Sequence, residues 1–180
     1  VIEKILESGI NKIGLVISPD SKENFNQFIR NYNLEKYINI IIQENPLGVA
    51  HAVKTAKDFI NNDDFLLYLG DNLIKEKLKI FKNKFKDSSS DALLILKKIN
   101  DPKMFGVAQL NYNNKIVGIE EKPNNPKSNL AVTGIYFFKN KILNEIDKIS
   151  FSERGELEIT DAIDNLVKNG LVIGHKLEEW

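Results

Sequence analysis

The stretch Phe65-Leu66-Leu67-Tyr68-Leu69-Gly70-Asp71-Asn72 constrains this chain more than any other segment. An uninterrupted apolar run of strand length ends abruptly in a glycine, a carboxylate and an amide. Helical spacing flanks it on both sides, which predicts an interior parallel strand buried on both faces. Open α/β sheets bind their ligands outside the carboxyl ends of such strands. Asp71 then falls at the mouth of a site, where a carboxylate can hold a hard cation such as Mg²⁺ beside phosphates. A strand that closes in a Gly-Asp turn, its carboxylate merely solvated, accounts for the same octet.

The rest of the chain alternates in the same way. Residues 1–8 have amphipathic helical spacing and Gly9 stands at the C′ position. Residues 13–17 and 38–42 read as short strands, with a helix through Phe25, Phe28 and Ile29 between them. Residues 48–60 carry apolar side chains at Val49, Ala52, Val53, Ala56 and Phe59, one helical face. A helix through Leu78, Phe81 and Phe85 precedes a strand at 92–96. Then the rhythm changes: 106–110 and 115–120 predict a hairpin closed near Asn113-Asn114. A strand at 131–138 and helices at 142–149 and 159–168 complete the pattern. The expectation is a three-layer α/β/α sandwich with a Rossmann-like, mixed, mainly parallel sheet, in one domain over 1–180.

Composition narrows the function classes. Lysine plus arginine and aspartate plus glutamate both total 25, so no basic field invites nucleic acid. Arg30 and Arg154 are the only arginines. The absence of cysteine excludes disulfides and thiolate metal sites. No apolar run approaches the length of a membrane span, so a soluble, cytoplasmic protein without membrane partners is expected. The chain opens inside a helix without methionine and ends without a cap, which predicts a piece of a longer protein cut at both ends.

Three further segments can carry chemistry. Gln43 to Ala50 leads from a strand end into a helix through Gly48, so backbone N–H groups and the Gln43 amide can meet a ligand's polar edge. An amide offers a donor and an acceptor together, matching the imide edge of uracil or thymine. An ordinary βα loop needs the same residues. Glu120-Glu121-Lys122-Pro123 ends a strand with groups suited to sugar hydroxyls and to phosphate, or with a solvated charge run. Ser152 to Asp161 feeds a helix for which Thr160 or Asp161 would serve as N-cap. His51 is expected on the exposed face of its helix. No catalytic triad is recognisable.

The order of these segments is more telling than any one of them. Gln43…Pro46-x-Gly48-x-Ala50, Leu69-Gly70-Asp71-Asn72, Phe105-Gly106-Val107-Ala108, Glu121-Lys122-Pro123-x-x-Pro126-Lys127-Ser128-Asn129, Ala131-Val132-Thr133-Gly134-Ile135-Tyr136 and Arg154-Gly155-Glu156-Leu157-Glu158-Ile159-Thr160-Asp161 succeed one another along the chain. Together they resemble the sugar-1-phosphate nucleotidyltransferases, and most of all the glucose-1-phosphate thymidylyltransferases.

That resemblance implies a Mg²⁺-dependent transfer from a pyrimidine nucleoside triphosphate, dTTP favoured, to a sugar 1-phosphate, glucose 1-phosphate favoured. It assigns Asp71 to Mg²⁺ and, with Lys122 at the sugar phosphate, to catalysis. Gln43 and the Gly48 backbone would read the pyrimidine and Glu121 would hold sugar hydroxyls. Gly106, Val132, Glu158 and Thr160 would line the sugar pocket. A homo-oligomer is implied for the whole protein. The family's glycine-rich triphosphate loop, the strand carrying it and a second metal-binding aspartate have no counterpart in 1–180. The chain alone is therefore expected to be inactive, with a gap at the sheet centre. A UTP-dependent uridylyltransferase and a non-catalytic module of the same fold are the alternatives; Asp71, Glu121 and Lys122 occurring together argue against the module.

Overall fold

The structure is a computed structural model and describes residues 1–178. It contains helices α1 (Ile2–Glu7), α2 (Lys22–Asn31), α3 (Val49–Thr55), α4 (Lys57–Ile60), α5 (Leu78–Lys86), α6 (Ile142–Ile146) and α7 (Ile159–Asn169). The strands are β1 (Ile13–Ile17), β2 (Ile38–Ile42), β3 (Phe65–Tyr68), β4 (Ala92–Lys98), β5 (Gly106–Leu110), β6 (Ile116–Glu121), β7 (Leu130–Phe138) and β8 (Val172–Lys176). Among the described residues no helix is long and apolar enough to cross a membrane.

Alternation along the strands creates the layers. In β4, Ala92, Leu94 and Leu96 face one apolar cluster, while Leu93 and Ile95 face a second. β7 divides in the same way, with Val132, Tyr136 and Phe138 on the first side and Ile135 and Phe137 on the second. A strand's period of two sends successive side chains to opposite faces, so a sheet apolar at every position must be covered on both. Helix α7 covers the first face with Ile159, Ala162, Ile163 and Leu166, joined by α3 and α6. Helix α5 covers the second with Leu78, Phe81 and Phe85, the i, i+3, i+7 positions of one face. The expected three-layer α/β arrangement is present.

The nine-residue strand β7 organises the larger sheet, whose order is β6-β5-β7-β4-β8. Phe138 pairs with both Phe65 and Ala92, so β3 and β4 flank β7 on opposite edges. Ala131 pairs with Lys97 and Val107, which places β5 on the β3 edge. Because β3, β4 and β5 all run against β7, and β8 runs with β4, four of the six strands point one way. The sheet is mixed, as expected, but its ladder is antiparallel wherever β7 takes part. Among the described residues β3 pairs with β7 alone, antiparallel, and is half-buried, while running the same way as β4, β5 and β8. Its apolar run reported burial between layers, which is silent about the direction of the neighbour.

β1 and β2 form a separate parallel pair, Ile13 opposite Ile38 through Ile17 opposite Ile42. Val16 packs on the first apolar cluster and Ile13 on the second, so the pair spans the same layers. Among the described residues neither β1 nor β3 has a second partner strand. Two elements differ from the sequence pattern. The helix expected over 48–60 breaks at Ala56 into α3 and α4, and the helix expected over 142–149 stops at Ile146.

Phe81 is completely buried between α5 and the sheet. Phe81→Ala should destabilise the fold by about 3–5 kcal/mol, the usual cost of deleting a core aromatic ring. Urea titration followed by circular dichroism checks this.

Candidate active site

The site residues are held by one backbone junction. Leu157 N–H donates to Leu47 O at 2.8 Å, and Ala50 N–H donates to Leu157 O at 3.1 Å. The loop leaving β2 is thereby sewn to the segment entering α7. Gly48 sits inside this junction with φ +99° and ψ 172°, a region open essentially only to glycine. A Cβ there would lie 2.6 Å from Leu157 O and 2.9 Å from Leu157 N. The side of Gly48 on which a Cβ would stand is filled by the Leu157 backbone.

On the α7 side of the junction, four of the expected residues converge. Thr160 Oγ1 donates to Glu121 Oε2 at 3.1 Å. A Cβ on Gly106 would meet Thr160 Cγ2 at 2.9 Å, Glu121 Oε2 at 3.3 Å and Val132 Cγ2 at 3.6 Å. Register explains the grouping, because Gly106 pairs with Glu121 across the β5–β6 hairpin and Val107 pairs with Ala131. Thr160 does not cap its helix; Glu158 takes the N-cap position, with no side-chain capping bond. The hydroxyl goes instead to a carboxylate from a different strand.

Glu158, also expected here, is buried, and one of its oxygens takes three bonds. Its Oε1 accepts from Ser152 Oγ at 2.8 Å, Arg154 Nε at 3.2 Å and Arg154 Nη2 at 2.7 Å. The same Nη2 lies 3.6 Å from Glu121 Oε1 and 3.5 Å from Glu156 Oε2. Arg154 therefore sits amid three carboxylates, a role the sequence reading did not give it. The available signal was its rarity, as one of two arginines in a chain of lysines.

These groups border a cleft of about 390 Å³. Carboxylates outnumber cations there, and the titration behaviour follows. Glu121 is pushed above the ordinary carboxylate range, chiefly by burial and further by Glu158; the Thr160 bond, Arg154 and Lys122 pull against it. Asp161 is raised by burial, then by Glu158 and Asp164. The buried phenol of Tyr136 is raised by burial and by the charge of Glu121. Lys122 is exposed at the rim with φ +40°, although the following Pro123 disfavours such a conformation. Its N–H donates to Phe105 O at 3.0 Å, which holds the turn.

Two expected residues lie outside this cluster. Asp71 is exposed on the turn after β3, where Asn72 Nδ2 donates to its Oδ1 at 2.8 Å. Leu69 N–H donates to Gly134 O at 2.9 Å, tying that turn to β7 two residues beyond Val132. Among the described residues there is no group of three or more His, Cys, Asp or Glu able to hold a metal. A lone exposed carboxylate nevertheless suits Mg²⁺, which commonly takes one or two protein carboxylates together with substrate phosphates.

Gln43 is half-buried across the junction, and its Nε2 lies 2.8 Å from His51 Nδ1. His51 is thus not on an exposed helix face. Loop closure between β2 and α3 brings it back to Gln43, and no sequence periodicity reports that. A second opening, of about 560 Å³, borders His51, Lys54, Asp147 and Phe151. It is larger than the acidic cleft but contains none of the residues expected to do chemistry.

The fold is α/β, with an acidic cleft on one side of the Leu157 junction and an amide-bearing loop on the other. The nucleotidyl transferase family model matches residues 1–180, and the chain belongs to that family of enzymes. It is 40% identical over 170 residues to a glucose-1-phosphate thymidylyltransferase of Streptomyces antibioticus, covering 94% of the chain and 48% of the relative. It is 37% identical over 183 residues to the low-salt glycan biosynthesis nucleotidyltransferase Agl11 of Haloferax volcanii, covering 99% and 51% respectively. The chain thus spans about half the length of these curated relatives. A Bacillus anthracis protein assigned as a glucose-1-phosphate thymidylyltransferase, solved with sucrose, superposes with TM-score 0.89 at 31% identity over 99% of the chain and 73% of its own. A UDP-glucose pyrophosphorylase solved with UDP-glucose shares the fold, with TM-score 0.87 at 20% identity over 99% and 77%.

Gly48→Ala tests the junction. Positive φ and the clash with Leu157 should together cost on the order of 2–3 kcal/mol, measured by thermal or urea unfolding.

Proposed function

We propose that the protein transfers a nucleotidyl group from a pyrimidine nucleoside triphosphate to a sugar 1-phosphate, giving a nucleotide sugar and pyrophosphate. dTTP and glucose 1-phosphate are the favoured substrates. The observation that carries this reading is the convergence of Glu121, Thr160, Gly106 and Val132 beside the acidic cleft that Glu121 borders, with the segment entering α7 bonded through Leu157 to the Gln43 loop.

In the reaction, an oxygen of the sugar's phosphate attacks the α-phosphorus in line, the α–β bridging bond breaks, and pyrophosphate leaves with the electron pair. Little proton chemistry is required, so positioning and charge placement supply the rate. Glu121 accepts from sugar hydroxyls; burial that raises its proton affinity also strengthens the hydrogen bonds it makes. Thr160 fixes one carboxylate oxygen, and Glu158 lines the pocket while holding Arg154. Gly106 and Val132 back the Glu121 side of the pocket. Lys122, at the rim, meets the sugar phosphate as a compact cation. Gln43 and the Gly48 backbone face the base. Asp71 would hold Mg²⁺ together with substrate phosphates, and the ion would neutralise their charge.

The thymidylyl preference rests on the Streptomyces relative. A UTP-dependent uridylyltransferase is the second reading, since the Gln43 amide addresses the same edge of uracil. We place residues 1–180 in a single domain of a cytoplasmic, homo-oligomeric protein.

Asp71 makes its only described side-chain bond to the adjacent Asn72, so Asp71→Asn should fold normally. It should lower Mg²⁺-dependent pyrophosphate release by the intact protein by about 10²-fold or more; unchanged turnover would remove Asp71 from the site.

Glu121→Gln separates function from stability. With its folded pKa raised, Glu121 stabilises the fold most below the ordinary carboxylate range, and that contribution falls as pH rises through the raised value. At pH 7 the glutamine variant should therefore melt no lower than the wild type, while the KM for sugar 1-phosphate rises at least about 10-fold. Melting curves between pH 4 and 8 and steady-state kinetics provide both readings.

A further inference from the structure

Resting on the reading of Gln43 as the base-facing residue, we infer that His51 is a positioning residue that sets base specificity. It holds the Gln43 amide with its oxygen toward the base, and so selects uracil and thymine over cytosine.

Gly48 O is an acceptor of fixed character beside the Gln43 amide. Gln43 Nε2 lies 3.4 Å from Gly48 O and 2.8 Å from His51 Nδ1. A carbonyl can only accept, so the amide nitrogen belongs on that side; an oxygen there would face the Gly48 carbonyl in repulsion. The second amide proton then points at Nδ1, which must accept, and the imidazole carries its proton on Nε2. Both donors of Gln43 are committed within the protein, and Oε1 is the atom left to present. The amide is therefore not the donor–acceptor pair that its composition suggests, but an acceptor alone.

That difference has chemical consequences. Uracil and thymine carry N3–H, a donor that an acceptor satisfies. Cytosine presents an unprotonated N3, which would face Oε1 lone pair to lone pair. Turning the amide over would reverse the preference, and two contacts oppose the turn. A turned amide would set its oxygen against Gly48 O and would have to draw the imidazole proton from Nε2 to Nδ1 to keep the short contact with His51. The backbone of His51 is held as well. Its helix starts at the Gly48 junction, and one turn later Thr55 Oγ1 donates to His51 O at 2.9 Å. Gln43 is anchored from its other side, where its N–H donates to Ile17 O at 2.9 Å at the end of β1.

The test compares His51→Leu and His51→Asn in the intact protein, with kcat/KM measured for UTP, dTTP and CTP. Leucine removes the acceptor. The ratio of UTP to CTP should fall about 10-fold, the worth of one neutral hydrogen bond, through the nucleotide KM and with kcat at saturating UTP unchanged. Asparagine places its side-chain oxygen where Nδ1 stood and should restore the ratio. An unchanged ratio in the leucine variant, or a uniform loss for all triphosphates that asparagine does not rescue, overturns the inference. A wild type that does not prefer UTP or dTTP over CTP removes the base-reading role of Gln43 itself, and the inference with it. Nitrogen-15 shifts of the His51 ring give a readout that needs no turnover. A pyridine-like Nδ1 is expected, and a protonated Nδ1 in the neutral ring overturns the assignment.

Discussion

Leu157 ties the two sides of the site together with its own N–H and C=O, and both bonds require a backbone approach that only Gly48 permits. The loop with Gln43 descends from the small β1–β2 sheet, whereas Glu121, Gly106 and Val132 belong to the larger sheet. These sheets share no ladder among the described residues, so the junction fixes their loops against each other at the ligand face. Backbone bonds suit this task because they lose little entropy when a substrate arrives. Without the junction, Gln43 and Thr160 would be set by separate elements, and a displacement of about 1 Å is enough to weaken a positioned transfer severely.

Electrostatics make the second constraint. Glu121, Glu156, Glu158 and Asp161 crowd one region, and burial there raises Glu121 and Asp161 above the ordinary carboxylate range. Arg154 pairs with Glu158 through two charge-assisted bonds to a single oxygen. Burial raises the proton affinity of Glu121, which has only a hydroxyl and a more distant guanidinium to oppose it. The division gives the two carboxylates different work. Glu158 takes three bonds on one oxygen and organises the loop from Ser152, while Glu121 borders the cleft with a single hydroxyl bond.

Much of the architecture was legible because it obeys simple periods. The α5 and α7 faces, the alternating β4 and β7, and the hairpin at Asn113-Asn114 all follow from spacing of apolar residues and turn chemistry. The direction of β3 was not, since burial on two faces is common to parallel and antiparallel neighbours. β8 escaped notice because Val172-Ile173-Gly174-His175-Lys176 is short, interrupted by glycine and followed by charge. Local rules also proposed a cap for Thr160, yet its partner lies 39 residues away on β6. His51 and Arg154 were missed for the same reason. Their roles are made by loops closing on one another, and such contacts leave no repeat in the sequence. The family resemblance grouped Gly106, Glu121, Val132 and Thr160 in advance; the hairpin register supplies the physical reason they meet.

The central claim is that the acidic cleft takes the sugar while the Gln43 loop takes the base. A crystal structure of the intact protein with a pyrimidine nucleotide sugar tests it most directly. The account predicts hexose hydroxyls on Glu121, with Thr160 beneath it, and the N3–H of the base on Gln43 Oε1. A nucleotide sugar seated instead in the larger opening bordered by His51, Lys54 and Phe151 would contradict it.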